Sequence, residues 1–397
     1  MASVILTICL VSLCVAVGEY VLYNLLVMLA ALLRSSRPET NFTPPLTIVI
    51  PAHNEEKHIR RKLESVLQSD YPRELINVIV VDDGSTDDTA RQVREVAGDR
   101  VALIQTGERK GKIFAQKLAF SQASTEILAI TDATVLTEPD AFRKLARHMA
   151  DPQVGAVSAS VMVRNRGTNY LTRISQFLFD IQNAQKLGES LLDSAAGPFG
   201  QLSLIRRAAV GDFSTEVIYE DREFGIILRK RGFRTILAPE VVATYHAPES
   251  FEDFSRQKQR NIGAMMQSVV RHRGLLYNLR YGWYGLLIFP EYSLFRILRV
   301  YLLMIAFLAA FVYCAAFERG FAVSLLSSMV GVVFFGYVIG TALLAPIVSE
   351  RWRFLRDILI SVPAMALVAT HFAVASLKYF RGDFSSLWER VKRDRAV

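Results

Sequence analysis

The chain reads as an α/β domain framed by membrane-spanning helices, and three observations predict that class. Between residues 47 and 132, short apolar runs alternate with amphipathic segments, the order expected of strands and helices taken in turn. The first two apolar runs end in small, amide and acidic residues, TIVIPAHNEE and VIVVDDGSTDD. Apolar residues fill 51% of the 397 positions, and their excess gathers at the two ends of the chain.

Taken in order, residues 4–33 form an apolar run with one acid, Glu19, longer than the roughly 20 helical residues that cross a bilayer core. The run has neither the basic start nor the cleavage pattern of a signal peptide, so it predicts a spanning anchor. The segment NFTPPL is a linker into a strand at 47–50. Ile59, Leu63, Val66 and Leu67 give 57–67 a helical spacing before the turn SDYP. A continuous apolar strand at 76–81, as expected when both faces of a parallel sheet are covered, is followed by a helix at 86–97. A strand at 101–105, a helix at 113–121 and a strand at 126–131 ending at Asp132 complete this half. In an open parallel sheet ligands settle at the carboxyl ends of neighbouring strands, so residues 51–56 and 82–88 are expected to flank one crevice.

Farther along, 170–192 is amphipathic, GPFG makes a tight turn before a strand at 201–205, and His246 follows the apolar stretch 241–245. Ile262, Met265, Met266, Val269 and Val270 fall on one stripe, which suits a helix lying on a lipid surface. Residues 300–317, 322–346 and 358–377 are three more runs of spanning length, while Pro290, Glu291 and Arg296 make 283–298 read as interfacial or re-entrant. The expected division is a transmembrane anchor at 1–37, a cytoplasmic α/β domain at 38–255, basic interfacial or re-entrant helices at 256–299, about three transmembrane helices at 300–380 and a basic tail at 381–397. Basic residues beside the apolar runs, including Arg34, Arg37 and Arg256, place the α/β domain on the inner side of the membrane. The basic tail conflicts with that rule if the spans number four. The net charge of +8 lies next to the apolar runs without a nucleic-acid motif, so anionic lipid is the expected partner and nucleic acid is not. The three cysteines all fall in the apolar runs, which suits neither a disulfide framework nor a zinc site. Apart from Glu19 the runs show no paired set of charges, which disfavours a transporter.

The motifs PAHNEE, VDDGSTDDT, ERKGK, TDAT, GPFG followed by IRR, YED followed by REFGIILRKRGF, and RQKQR occur in that order. Together they resemble family 2 of the nucleotide-sugar glycosyltransferases, on the GT-A fold, in the membrane-integrated branch that includes cellulose-, chitin- and hyaluronan-synthase-like enzymes. The resemblance covers more than half the chain and implies a mixed, mostly parallel sheet. It implies a nucleotide-sugar donor, UDP-linked by preference, a glycan or lipid-linked acceptor, and Mg2+ or Mn2+. Pro51, Ala52, Glu55 and Asp83 match the nucleoside crevice, and Lys112, Gln257 and Arg260 match groups that grip the diphosphate. Asp132-Ala133-Thr134 stands where the family has an Asp-x-Asp metal motif, so a second carboxylate is missing, and Asp82 or His246 is a candidate to help Asp132.

Asp221 of the Glu220-Asp221 pair matches the general base of an inverting single displacement, with Glu220 raising its proton affinity. Gly197, Phe199 and Gly200 match the loop that receives the acceptor, with Phe199 placed to stack on a sugar. Asn261 replaces the tryptophan that sits beneath the acceptor end in processive polymerases, which weakens the case for processivity. A processive synthase that exports its chain, with a homo-oligomer or export partners, and a non-catalytic scaffold for glycan assembly are the competing readings. The expected location is a bacterial inner or plasma membrane.

Overall fold

In the computed structural model the residues described are 1–33, 41–97, 100–317, 320 and 322–381. Arg34, Arg37 and the basic tail beyond 381 lie outside them. Cα packing divides the chain into a unit within 35–254 and a unit formed by 1–34 with 255–389.

The apolar run at the N-terminus is one helix, α1 (Ala2–Leu33). The next unit begins with β1 (Leu46–Ala52), α2 (Ile59–Leu67), β2 (Ile76–Asp82), α3 (Thr89–Val96), β3 (Val101–Gln105), α4 (Lys112–Gln122) and β4 (Ile127–Thr131). Then come β5 (Leu136–Thr137), α5 (Ala141–His148), β6 (Val154–Val163), α6 (Tyr170–Leu192), β7 (Leu202–Arg206), α7 (Arg207–Val210), α8 (Glu220–Lys230) and β8 (Arg234–Tyr245). The expected elements are present, and the helix foreseen at 86–97 is trimmed to α3. Asp87 causes the trim: its carboxylate accepts the Thr89 N–H and hydroxyl and keeps the chain in a turn.

The eight strands form one sheet in the order β3-β2-β1-β4-β7-β6-β8-β5. Strand β1 pairs parallel with β2 and β4, β2 with β3, and β6 with β8, while β7 runs antiparallel to β4 and β6. Alternation along β1 sends Ile48 and Ile50 into a core with α2 and α5, and Val49 into a second core with α4 and α8. Helices on both faces bury both sets, and each such side chain contributes about 1.5–3 kcal/mol of transfer free energy. Helix α6 has its expected bounds, and its Ile174 and Phe177 are buried within the protein.

The remaining chain is α9 (Phe251–Arg271), π-helical turns at Tyr284–Ile288 and Pro290–Phe295, α10 (Arg296–Ala316), α11 (Ala322–Ala342) and α12 (Arg351–Phe380). Among the described residues, three helices are long and apolar enough to cross a membrane: Ala2–Leu33, Tyr284–Ala316 and Ala322–Ile347. The segment expected to be interfacial or re-entrant is therefore part of a continuous helix. Its charge is matched there, because Glu291 meets Arg299 at 2.9 Å and Arg296 at 3.7 Å, and Arg299 also binds Glu19 of α1. Pro290 starts a π-helical turn, where its missing N–H is tolerated. Glu19, the exception noted among the apolar runs, thus has its partner in Arg299, just before the run 300–317. The run 358–377 lies in α12, part of whose side chains fall outside the description.

Helix α9 also departs from expectation. Its stripe is covered by protein, with Ile262, Met265 and Met266 packed against Ala375, Ile297 and Val300. Val270, at the end of the stripe, is exposed.

Candidate active site

The loops after β1 and β2 are built as one piece. Ala52 and Asp82 are register partners, and the Asp83 N–H donates to the Ala52 carbonyl at 2.8 Å. His53 Nδ1 donates to the Asp83 carbonyl at 2.7 Å, the Asn54 N–H to Ser85 Oγ at 2.9 Å, and the Glu55 N–H to Thr89 Oγ1 at 2.8 Å. Asn54 takes a left-handed conformation, φ +53°, from which its side-chain oxygen accepts the Thr86 N–H at 2.8 Å. This stitching gathers Pro51, Ala52, Glu55 and Asp83 at the carboxyl ends of adjacent parallel strands, the place where open sheets bind ligands.

The two acids after β2 separate in role. Asp82 is buried and braces its own loop, accepting the Ser85 N–H and the Gln105 amide, each at 3.0 Å. Each of its oxygens thus accepts one of these hydrogen bonds. Asp83 accepts the N–H groups of Lys110 and Gly111, each at 2.8 Å. It therefore orders the basic loop by its backbone, a use that the sequence did not reveal. Its Oδ1 also accepts from the Thr106 hydroxyl at 3.5 Å, while Oδ2 keeps a second lone pair.

Lys112 opens α4, and its Nζ lies 2.8 Å from Asp132 Oδ1 and 2.6 Å from Glu220 Oε1. Burial opposes its charge, but those two carboxylates outweigh burial and hold the ammonium well above the ordinary lysine range. Glu220 is buried and also accepts from Gln116 Nε2 at 3.3 Å. Its neighbour Asp221 turns toward the glycine loop. A Cβ placed on Gly200 would stand 3.6 Å from both Asp221 Oδ2 and Lys112 Nζ, and one on Gly197 would stand 2.9 Å from the Asp221 carbonyl oxygen. Gly197, Gly200, Lys112, Asp132, Glu220 and Asp221 thus share one locus. Burial pushes the Asp221 carboxyl up and Glu220 adds to the rise, while Lys186, Lys112 and Arg222 oppose it.

Phe199 does not present its ring for stacking on a sugar. It is 5% exposed, lies in a cluster with Tyr245 and Ala247, and meets Phe179 edge to face. The loop therefore offers backbone rather than an aromatic platform. His246 follows β8, where Thr244 pairs with Leu136, so it lies near the Asp132 turn along the register and contacts the Asn165 amide at 3.3 Å. Gln257 and Arg260 are on α9, one turn apart in the other unit.

The sequence reading missed three buried polar side chains. Lys62, 0% exposed, donates to Thr131 Oγ1 and to the Val135 carbonyl, each at 2.8 Å, and so closes both ends of the Asp132 turn. Gln116 and Lys186 are the others. Lys62 is one turn from both Ile59 and Val66 on the apolar stripe of α2, and that misplaced polarity was the available signal.

With this geometry in hand, residues 47–213 match the family model described as Glycosyl transferase family 2. Over these residues the chain is similar to family 2 glycosyltransferases. Its sheet is GT-A-like: a mannosyltransferase from Pyrobaculum calidifontis, solved with GDP-Man and Mn2+, superimposes with a TM-score of 0.72 at 22% identity, over 95% of this chain and 99% of that one. Among curated proteins, an N-acetylglucosaminyltransferase of Azorhizobium caulinodans is 27% identical over 55% of this chain, and one of Rhizobium meliloti is 30% identical over 56%. The match spans 59% and 56% of those two relatives.

Proposed function

We propose that this protein is a membrane-embedded, inverting glycosyltransferase that moves a sugar from a nucleotide-diphosphate donor to a glycan or lipid-linked acceptor. The observation that carries the reading is the junction at which Lys112 bridges Asp132 and Glu220 beside Asp221. One end of that junction has a cation and a carboxylate suited to a diphosphate, and the other has a half-buried carboxylate suited to taking a proton. In the proposed displacement Asp221 accepts the proton of an acceptor hydroxyl as its oxygen bonds to the anomeric carbon and the nucleoside diphosphate departs. Pro51, Ala52, Glu55 and Asp83 hold the nucleoside, Lys112 the diphosphate, and Gly197 and Gly200 admit the acceptor. Gln257 and Arg260 are assigned to the diphosphate on the motif alone. The N-acetylglucosaminyltransferase relatives support UDP-N-acetylglucosamine as the first donor to test. The three apolar helices support an integral membrane protein, with the catalytic domain proposed to face the cytoplasm.

Among the described residues, no group of three or more His, Cys, Asp or Glu is arranged to hold a metal ion. Asp132 supplies one carboxylate, which fits Mg2+ or Mn2+ held jointly with the phosphates of the donor rather than by a protein cage. Bound there, the cation would neutralise charge developing on the leaving diphosphate.

Asp221→Asn tests the reading. Transfer from UDP-N-acetylglucosamine or GDP-mannose to membrane lipid extract should fall by about 10²-fold or more, while UDP affinity stays near wild type. Equal turnover by variant and wild type would overturn the assignment of the base, and absence of turnover in wild type would favour the scaffold.

A further inference from the structure

Lys186 sits on α6, is 2% exposed and has no part in the displacement described above. Its ammonium donates to the Gly197 carbonyl and stands 4.6 Å from the centroid of the Phe199 ring. One turn along, Glu189, also buried, accepts the Ala196 N–H at 2.9 Å. Two ionisable side chains of one helix thus grip the turn that carries Gly197 and Phe199. Asp221 rests against that turn, as the close approaches at Gly197 and Gly200 show. A neutral amide would satisfy one carbonyl at far smaller desolvation cost, and what an ammonium adds at the same place is charge.

We propose that Lys186 is a positioning residue for transfer, an inference that rests on the functional reading above: its ammonium clamps the 196–199 turn against Asp221 and supplies a fixed positive charge beside the proposed base. The charged groups acting on Asp221 are Glu220 and Arg222 on its own helix, Lys112 on α4 and Lys186 on α6. Lys186 is foremost among the cations that offset the upward push of burial and Glu220. Without it Asp221 holds its proton to higher pH, so transfer should lose its acid limb earlier as pH falls.

The test is the pH profile of sugar transfer by full-length protein in membranes, with UDP-N-acetylglucosamine and GDP-mannose as donors and total lipid extract as acceptor. Lys186→Met should move the acid limb up by about one pH unit, which is a roughly tenfold lower rate below the limb with recovery above it. Lys186→Gln, which can still donate to Gly197, should shift the limb likewise, and Lys186→Arg should leave it in place. An unmoved limb in the Met and Gln variants, or an equal loss at every pH that Arg does not restore, leaves only a structural role and overturns the proposal. Wild type inactive with both donors overturns the functional reading first and this inference with it, whereas active wild type with unmoved limbs overturns this inference alone.

Discussion

At the scale of single residues, Lys62 shows how burial changes a familiar side chain. Burial pushes its ammonium down to about 7 from 10.5, with Asp132 opposing the fall. A lysine whose folded value lies below its unfolded value binds fewer protons when folded between those two values, so stability rises with pH across that window. Below about pH 7 both states are protonated and the penalty for burying the charge is fully present. Thermal melts of full-length protein in detergent should therefore show wild type gaining on Lys62→Met from pH 7 toward pH 10. A difference that stays flat with pH would mean that Lys62 is not carried as a buried, titrating amine. Lys62→Met should also weaken donor binding, because the turn carrying Asp132 loses the group that ties Thr131 to Val135.

At the scale of elements, the basic loop after β3 depends on one glycine. Gly84 has φ +66°, and a Cβ there would lie 2.6 Å from the Arg109 nitrogen and from the Glu108 carbonyl carbon. Both conditions exclude a side chain, and the atoms met are backbone, which cannot move aside cheaply. Gly84→Ala should therefore push the loop off Asp83 and lower UDP affinity by about tenfold, equivalent to about 1.4 kcal/mol, measured by calorimetric titration. Retained affinity would show that the Lys110 and Gly111 contacts to Asp83 do not organise the proposed nucleoside site. The strands flanking this crevice were legible in the sequence because apolar runs ending in acids mark a parallel sheet edge. The bonds from Asp83 to Lys110 and Gly111 were not legible, because DDGS supports an Asx turn as well as a long-range contact.

At the scale of the whole molecule, the chain joins an α/β unit similar to family 2 glycosyltransferases to apolar helices whose packing relies on small residues and paired charge. A Cβ on Gly340 would lie 2.8 Å from the Tyr20 ring, and one on Gly336 only 2.1 Å from Val17. Helices α1 and α11 meet through these glycines, the usual way for helices to approach closely in lipid. Gly340→Leu should separate the pair and lower the detergent melting temperature by several degrees, roughly the effect of 1–3 kcal/mol of overpacking. An unchanged melt would mean that α1 and α11 do not pack through this face. The Glu19, Arg299 and Glu291 triad in the same unit shows what residue spacing in 283–298 did not: Glu291 has its partner, Arg299, along its own helix, and that arginine also meets Glu19 one helix away.

The sequence by itself determined the sheet-forming runs, the strand-end loops, the order of the motifs and the long apolar helices. Each depends on local periodicity, on length or on neighbouring residue types. Only the tertiary structure decided which polar groups meet. Lys112 lies between Asp132 and Glu220, Lys62 closes the Asp132 turn, Lys186 holds the loop against Asp221, and Phe199 turns into the core. These pairings join residues far apart in the chain, and a buried charge must find its partner across the fold rather than along the sequence.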